Sequence, residues 1–189
     1  MKIGVLALQG AFIEHRHKLS SLGIDSIELR QKEDLKKSFD ALILPGGEST
    51  VQGKLLRDLG MFQPLQAQIQ EGLPVLATCA GLILLAQSLS NDTRLHFATL
   101  PITVKRNAYG KQLGSFFTYD DFKPLGQVPM TFIRAPYIEA VSEGVEVHAI
   151  VDGNIVAVEY KKQLALSFHP ELNDDMRLYH YFLEKIKGH

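Results

Sequence analysis

Residues 74–86, PVLATCAGLILLA, run from Pro74 through Cys79 to Ala86 and place a short apolar strand directly against the start of a helix. PVLAT (74–78) is a continuous apolar run, the pattern of a strand covered on both faces. From Ala80 to Ser88 the spacing predicts a helix. A strand feeding a helix with no loop between them is half of a βαβ unit. Working outward, the same alternation returns. Residues 2–8 (KIGVLAL) predict a strand, 11–22 a helix stopped by Gly23, and 24–29 a second strand. Residues 39–44 (FDALIL) predict a third strand, ended by Pro45-Gly46-Gly47, with helical stretches over 48–59 and 61–70. These elements predict an α/β fold: a three-layer, open, mainly parallel sheet with helices on both faces.

Beyond about residue 95 the texture becomes β-rich. Residues 97–104, 114–118, 130–133, 137–141, 145–151, 155–160 and 164–168 all read as strands, and Asp152-Gly153-Asn154 marks a turn. The last two strands flank a hairpin at Lys161-Lys162, and residues 174–187 close the chain as an amphipathic helix. No repeat or long linker interrupts the pattern, so a single domain over 1–189 is expected. In open α/β sheets ligands gather at the carboxyl ends of strands. The turns after the first, third and fourth strands, and the one after Phe168, are therefore the places to look for chemistry.

The 189 residues carry 20 basic and 21 acidic side chains, a net charge of −1, with 46% hydrophobic residues. There is no basic block, so nucleic acid is not an expected partner. The apolar run near the N-terminus is too short for a signal segment or a membrane span, and a cytoplasmic protein is expected. The single cysteine excludes an internal disulfide and a multi-cysteine metal site. It is either core filler or a nucleophile.

Its position bears on that choice. In Thr78-Cys79-Ala80-Gly81 the thiol sits on a strand-to-helix turn whose small neighbours allow a sharp bend. At a helix N-terminus the macrodipole and unpaired N–H groups favour thiolate and can hold an oxyanion. His169-Pro170-Glu171 stands apart from the other histidines because it directly follows a strand. Pro170 biases His169 towards extended backbone, and a carboxylate two residues on can orient the imidazole. An ordinary loop remains the alternative there. His15 and His17 lie two apart on a helix and do not share a face. His96, His148, His180 and His189 show no recognisable partners. Gly46-Gly47-Glu48-Ser49-Thr50 follows a strand and opens a helix, which supplies N–H donors, but it is not a Walker loop. Arg106 and Arg134 end strand runs and could fork onto a carboxylate.

Taken together, LALQGAF (6–12), LILPGGEST (42–50), ATCAGLILLA (77–86), KRNAYGKQ (105–112), FIRAP (132–136) and SFHPEL (167–172) resemble the class I, triad-type glutamine amidotransferases, a family with a flavodoxin-like sheet. More narrowly they resemble the glutaminase subunits of pyridoxal 5′-phosphate synthase. The resemblance implies Cys79 as nucleophile, His169 as general base and acid, and Glu171 as its orienter. It implies that Gly47, Glu48, Ser49, Arg106, Ile133 and Arg134 bind L-glutamine, and that N–H groups of Gly46, Gly47 and Ala80 form the oxyanion hole. Gln9 would face the partner. It implies no cofactor and no metal. The implied partner is a synthase subunit, in a large hetero-oligomer, which builds pyridoxal 5′-phosphate from ribose 5-phosphate and glyceraldehyde 3-phosphate. It also implies a lone subunit that is poorly active until docked. The alternatives are a glutaminase serving histidine or cobalamin synthesis, a cysteine hydrolase or chaperone-like protein of related fold, and a non-catalytic subunit with a fossil site.

Overall fold

The computed structural model describes residues 1–107 and 114–188. Ala108 to Gln112 of the KRNAYGKQ stretch, with Lys111 among them, and His189 lie outside the described residues. The first half alternates as its sequence predicts. Strands β1 (Lys2–Leu6), β2 (Asp25–Leu29), β3 (Ala41–Leu44) and β4 (Val75–Thr78) are separated by helices α1 (Phe12–Ser21), α2 (Ser49–Asp58) and α3 (Phe62–Gln70). A 3-10 turn at Lys32–Lys36 precedes β3. Helix α4 (Ala80–Leu85) leaves the end of β4.

The second half holds β5 (Ala86–Leu89), β6 (Leu100–Lys105), β7 (Ser115–Phe122), β8 (Gly126–Ile133), β9 (Tyr137–Val141), β10 (Glu146–Val151), β11 (Asn154–Tyr160) and β12 (Gln163–Leu166), then α5 (Arg177–Lys187). One expectation fails here. The helix predicted to run to Ser88 stops at Leu85, and Ala86 turns to extended backbone with ψ of 134°. The apolar run LILLA fits either state, and parallel pairing of β5 with β6 decides it.

Among the described residues, ten strands form one mixed sheet in the order β2-β1-β3-β4-β12-β11-β9-β6-β5, with β10 paired to β11. The five strands from β2 to β12 are parallel. Antiparallel strands extend the sheet from β12 through β11 and β9 to β6. A separate antiparallel ribbon, β7–β8, stands off the sheet.

Side-chain alternation along the strands divides the core in two. Leu42, Leu44, Val75 and Ala77 face one side and pack with Leu56 of α2, Leu65 and Ile69 of α3, and α4. Ile3, Val5, Ile43 and Leu76 face the other and pack with Leu19 of α1, with Leu178 and Phe182 of α5, and with Met130 and Phe132 of the ribbon. Each such side chain contributes about 1.5–3 kcal/mol through burial. Neither layer of helices can be dispensed with, because each covers one apolar face of a sheet that is greasy on both.

The register that matters most is that of β4 and β12. They are parallel neighbours with Thr78 opposite Leu166. The Cys79 N–H continues the ladder to the Leu166 carbonyl at 2.8 Å. This pairing sets the turn after β4 beside the turn after β12.

Candidate functional site

At the end of β4 the chain must reverse within one residue. Cys79 takes φ 49° and ψ −101°, a conformation that costs a side-chain-bearing residue of order 1–3 kcal/mol. Gly81 makes the turn possible, since a Cβ on it would overlap the Leu44 carbonyl. The strain is compensated by the β4 ladder and by Leu82 to Leu85, which are all buried. The result is a thiol that is 7% exposed yet lines a cavity of ≈ 910 Å³ at the carboxyl ends of the strands. Its Sγ lies 3.9 Å from the Ile133 carbonyl oxygen.

His169 reaches the same point from β12. Its N–H donates to the Thr131 carbonyl at 2.9 Å, and Pro170–Leu172 form a 3-10 turn. That turn brings Glu171 back towards the imidazole: Nδ1 and Glu171 Oε1 are 2.6 Å apart, with both side chains buried. The ring shares the cavity with the Cys79 sulfur, close enough for the two to act on each other electrostatically. Burial alone would pull the His169 pKa down; its interactions with Cys79 and Glu171 win and hold it up at about 10. Burial pushes the Glu171 carboxyl up, and the histidines on either side, His15 and His169, pull it further down. His15 is itself kept neutral by burial. It therefore acts on Glu171 as an N–H dipole rather than as a cation.

The glycine turn after β3 closes the cavity. Gly46 lies against the His169 ring: any Cβ on it would overlap the imidazole and would stand 3.4 Å from Cys79 Cβ. Gly10 packs as tightly against the Gly46 carbonyl, with φ 98°. The backbone of Gly46 is held on both sides. Its N–H donates to Thr78 Oγ1 at 3.1 Å, and its carbonyl accepts from Ala11 N–H at 2.9 Å. Gly46 also leaves room for the His169 ring. Gly47 lines the cavity. Ala80, first in α4, has no intrahelical acceptor for its N–H. Gln9 braces the turn, its Oε1 accepting from Glu48 N–H at 2.8 Å and its carbonyl from Gln52 Nε2 at 2.9 Å.

Glu48, Ser49, Arg106, Ile133 and Arg134 all line the cavity with Cys79 and His169. Ser49 is buried and its hydroxyl has no partner among the described residues. Arg106 bonds Asp92 and reaches Glu48 at 3.2 Å, while its buried Nε is unpartnered among them. Arg134 has φ 44° and donates its N–H to the Gly114 carbonyl. Unpaired buried donors around a cavity are what a polar ligand would satisfy.

Three histidines have partners that the local sequence does not reveal, and for His96 the partner is Arg57, whose Nη1 lies 3.3 Å from its Nδ1. His148 does have a partner, Glu159 at 3.0 Å, reached across the β10–β11 ladder. His15 is wholly buried on α1 and touches Thr78, Tyr179 and Glu171. Its spacing from Phe12 and Leu19 put it on the inward face, which was the available signal. Its partners come from β4 and from far down the chain, which no local pattern reveals. No helix among the described residues is long and apolar enough to cross a membrane.

A family model described as the SNO glutamine amidotransferase family matches residues 5–188. The pyridoxal 5′-phosphate synthase subunit PdxT of Desulfitobacterium hafniense (strain DSM 10664 / DCB-2) is 63% identical over 188 residues, which are 100% of this chain and 94% of that protein. The protein of the same name from Streptococcus pneumoniae serotype 2 (strain D39 / NCTC 7466) is 54% identical over 190 residues, covering 99% and 98%. A solved structure, described as the crystal structure of a glutamine amidotransferase, superposes with a TM-score of 0.92 at 44% identity over 98% of each chain.

Proposed function

The chain belongs to the SNO glutamine amidotransferase family, and from that premise we propose that it is the glutaminase subunit of a pyridoxal 5′-phosphate synthase, hydrolysing L-glutamine to L-glutamate and ammonia through a thioester on Cys79. The relatives' name supplies the synthase. The observation that carries the chemistry is the line of contacts from Cys79 through His169 to Glu171 at the floor of an open cavity.

The steps follow from those contacts. The Cys79 thiolate attacks the side-chain amide carbon of glutamine. The Gly47 and Ala80 N–H groups hold the oxygen as it gains charge, and losing one such donor costs about 10²–10³ in rate. His169, held protonated, gives its proton to the departing nitrogen, and ammonia leaves. The thioester remains on sulfur. His169, now neutral, takes a proton from water, which attacks the thioester and releases glutamate. Glu171 keeps the Nδ1 proton in place throughout, so that Nε2 faces the reaction. The Ser49 hydroxyl, the Glu48 carboxylate and the guanidinium groups of Arg106 and Arg134 are suited to the amino-acid end of the substrate.

Ammonia is mostly protonated at neutral pH and easily lost to water. A cytoplasmic glutaminase docked on its synthase would deliver it unprotonated. Gln9 is where docking could act on catalysis, because it already braces the glycine turn. The test is ammonia release from glutamine with and without the cognate synthase subunit. The complex is expected to be active and the lone chain much slower. Cys79→Ala in the complex should abolish release while circular dichroism stays native; turnover near the wild-type rate in that variant ends the proposal.

A further inference from the structure

His15 takes no part in the steps above, yet it closes a ring around them. The ring is entirely buried. A buried imidazole needs both nitrogens partnered. Nδ1 lies 2.8 Å from the Tyr179 hydroxyl. Nε2 lies 3.2 Å from Thr78 Oγ1 and 3.6 Å from Glu171 Oε2. Burial and the nearby Glu171 push the Tyr179 phenol far up, so it keeps its proton; because the Glu171 carboxylate faces Nε2, the ring hydrogen belongs on that side and Nδ1 accepts from the phenol. The neutral ring therefore carries its own hydrogen on Nε2, aimed between Thr78 and Glu171. At 3.6 Å the carboxylate receives the dipole rather than a full hydrogen bond. Glu171 Oε2 is buried and has no hydrogen-bond partner among the described residues.

Tyr179 and Thr78 would be enough to satisfy an ordinary core histidine. The second oxygen of the triad carboxylate, lying unpaired against the same N–H, is more than packing requires. From Thr78 the contacts run on to the Gly46 N–H, and Gly46 lies against the His169 ring. We propose that His15 is a positioning residue, which fixes the Glu171 carboxylate by its free oxygen and ties it, through Thr78, to the glycine turn that borders the oxyanion site. This inference rests on the glutaminase reading. It gives α1, whose first turn follows the Gln9 brace, a direct mechanical link to the triad.

The groups facing His15 are Glu14 on its own helix, Glu171 and His169 from the turn after β12, Tyr179 from α5, and Thr78 at the end of β4. Removing the Nε2–H strips Glu171 of a donor that favours its charged form, so the carboxyl should protonate at higher pH. The experiment is glutaminase kinetics against pH for the chain in complex with its cognate synthase subunit, using the wild type, His15→Leu, His15→Gln and Tyr179→Phe. His15→Leu is expected to lower kcat at least tenfold with KM within about twofold, since small misplacements of catalytic groups are costly. The acid limb of its profile should move to higher pH. Glutamine offers an amide N–H near the Nε2 position, so His15→Gln should recover most of the loss. Tyr179→Phe frees the tautomer and should shift the acid limb the same way with a smaller fall in kcat. An unmoved acid limb in folded His15→Leu, or an equal fall at all pH values that glutamine does not rescue, overturns the inference. Should His15→Leu fail to fold, an unmoved acid limb in both His15→Gln and Tyr179→Phe overturns it equally. A wild-type complex that releases no ammonia defeats the glutaminase reading instead.

Discussion

Two histidine–glutamate contacts among the described residues invite comparison: one stands at the large cavity beside Cys79, and the other pins a helix to the sheet. His169 and Glu171 meet at 2.6 Å across a 3-10 turn, and His148 and Glu159 meet at 3.0 Å across an antiparallel ladder. In the first pair the far side of the imidazole meets a sulfur and open space. In the second, the carboxylate also takes a bond from Tyr181 at 2.6 Å and one from Lys185 at 2.8 Å. Phe122 stacks over His148 at 5.2 Å. Burial opposes ionisation of Glu159, yet its three donors hold it down at about 2. The second pair ties α5 to the sheet. A carboxylate–imidazole contact is thus chemically neutral in meaning; what lies beyond the ring makes it a site or a rivet.

Exchanging the two carboxylates for amides should separate them most sharply. Glu171→Gln should cut kcat by about 10²–10⁴, because the amide no longer fixes the imidazole or its cation. KM should change far less, which steady-state kinetics will show. Glu159→Gln should leave kcat within about twofold while costing about 1–3 kcal/mol of stability in urea unfolding, the worth of bonds to a charged group. Kinetics that respond alike to both changes would erase the contrast.

A subtler separation is expected from pH. The His169 pKa is raised from 6.5 to about 10 in the folded chain. Its contribution to stability is therefore complete below about pH 6.5 and lost as pH rises towards 10. Because Cys79 is one source of that rise, Cys79→Ala should flatten the alkaline decline of the thermal midpoint. The depressed carboxyls act at the other end. Glu159 contributes fully above its unfolded value of 4.5 and loses its contribution as pH falls towards 2. That acid decline should be indifferent to Cys79→Ala. The smallest effect is reserved for Lys185→Met, since the Lys185 side chain is 48% exposed. Truncating that partner should cost about 0–1 kcal/mol with no change in turnover.

The contrast also explains what the sequence made legible. His169-Pro170-Glu171 is local, so its geometry can be read from spacing and from the bias of Pro170. So can the elbow at Cys79, where strand, small residues and helix follow one another without a gap. The His148–Glu159 pair forms only once β10 and β11 are in register, and nothing near either residue announces it. His15 escaped for the same reason, as did the commitment of the Gly46 N–H to Thr78. The parallel half of the sheet was readable because each βα unit repeats one pattern. The end of α4 was not, because LILLA satisfies helix and buried strand alike until β6 supplies a neighbour. The standing-off of β7–β8 from the sheet depends on packing over Phe168 and α5, which local alternation does not encode.

The pairing of β4 with β12 also sets a schedule. On the ribosome Cys79 emerges well before the strand that leads into His169. At about 5–20 residues per second the delay is roughly 5–20 s. Throughout that interval the nascent chain holds Cys79 without the imidazole that stands beside it in the fold, and its central strand has one long edge unfilled. Sulfur and ring are brought together only when the sheet closes.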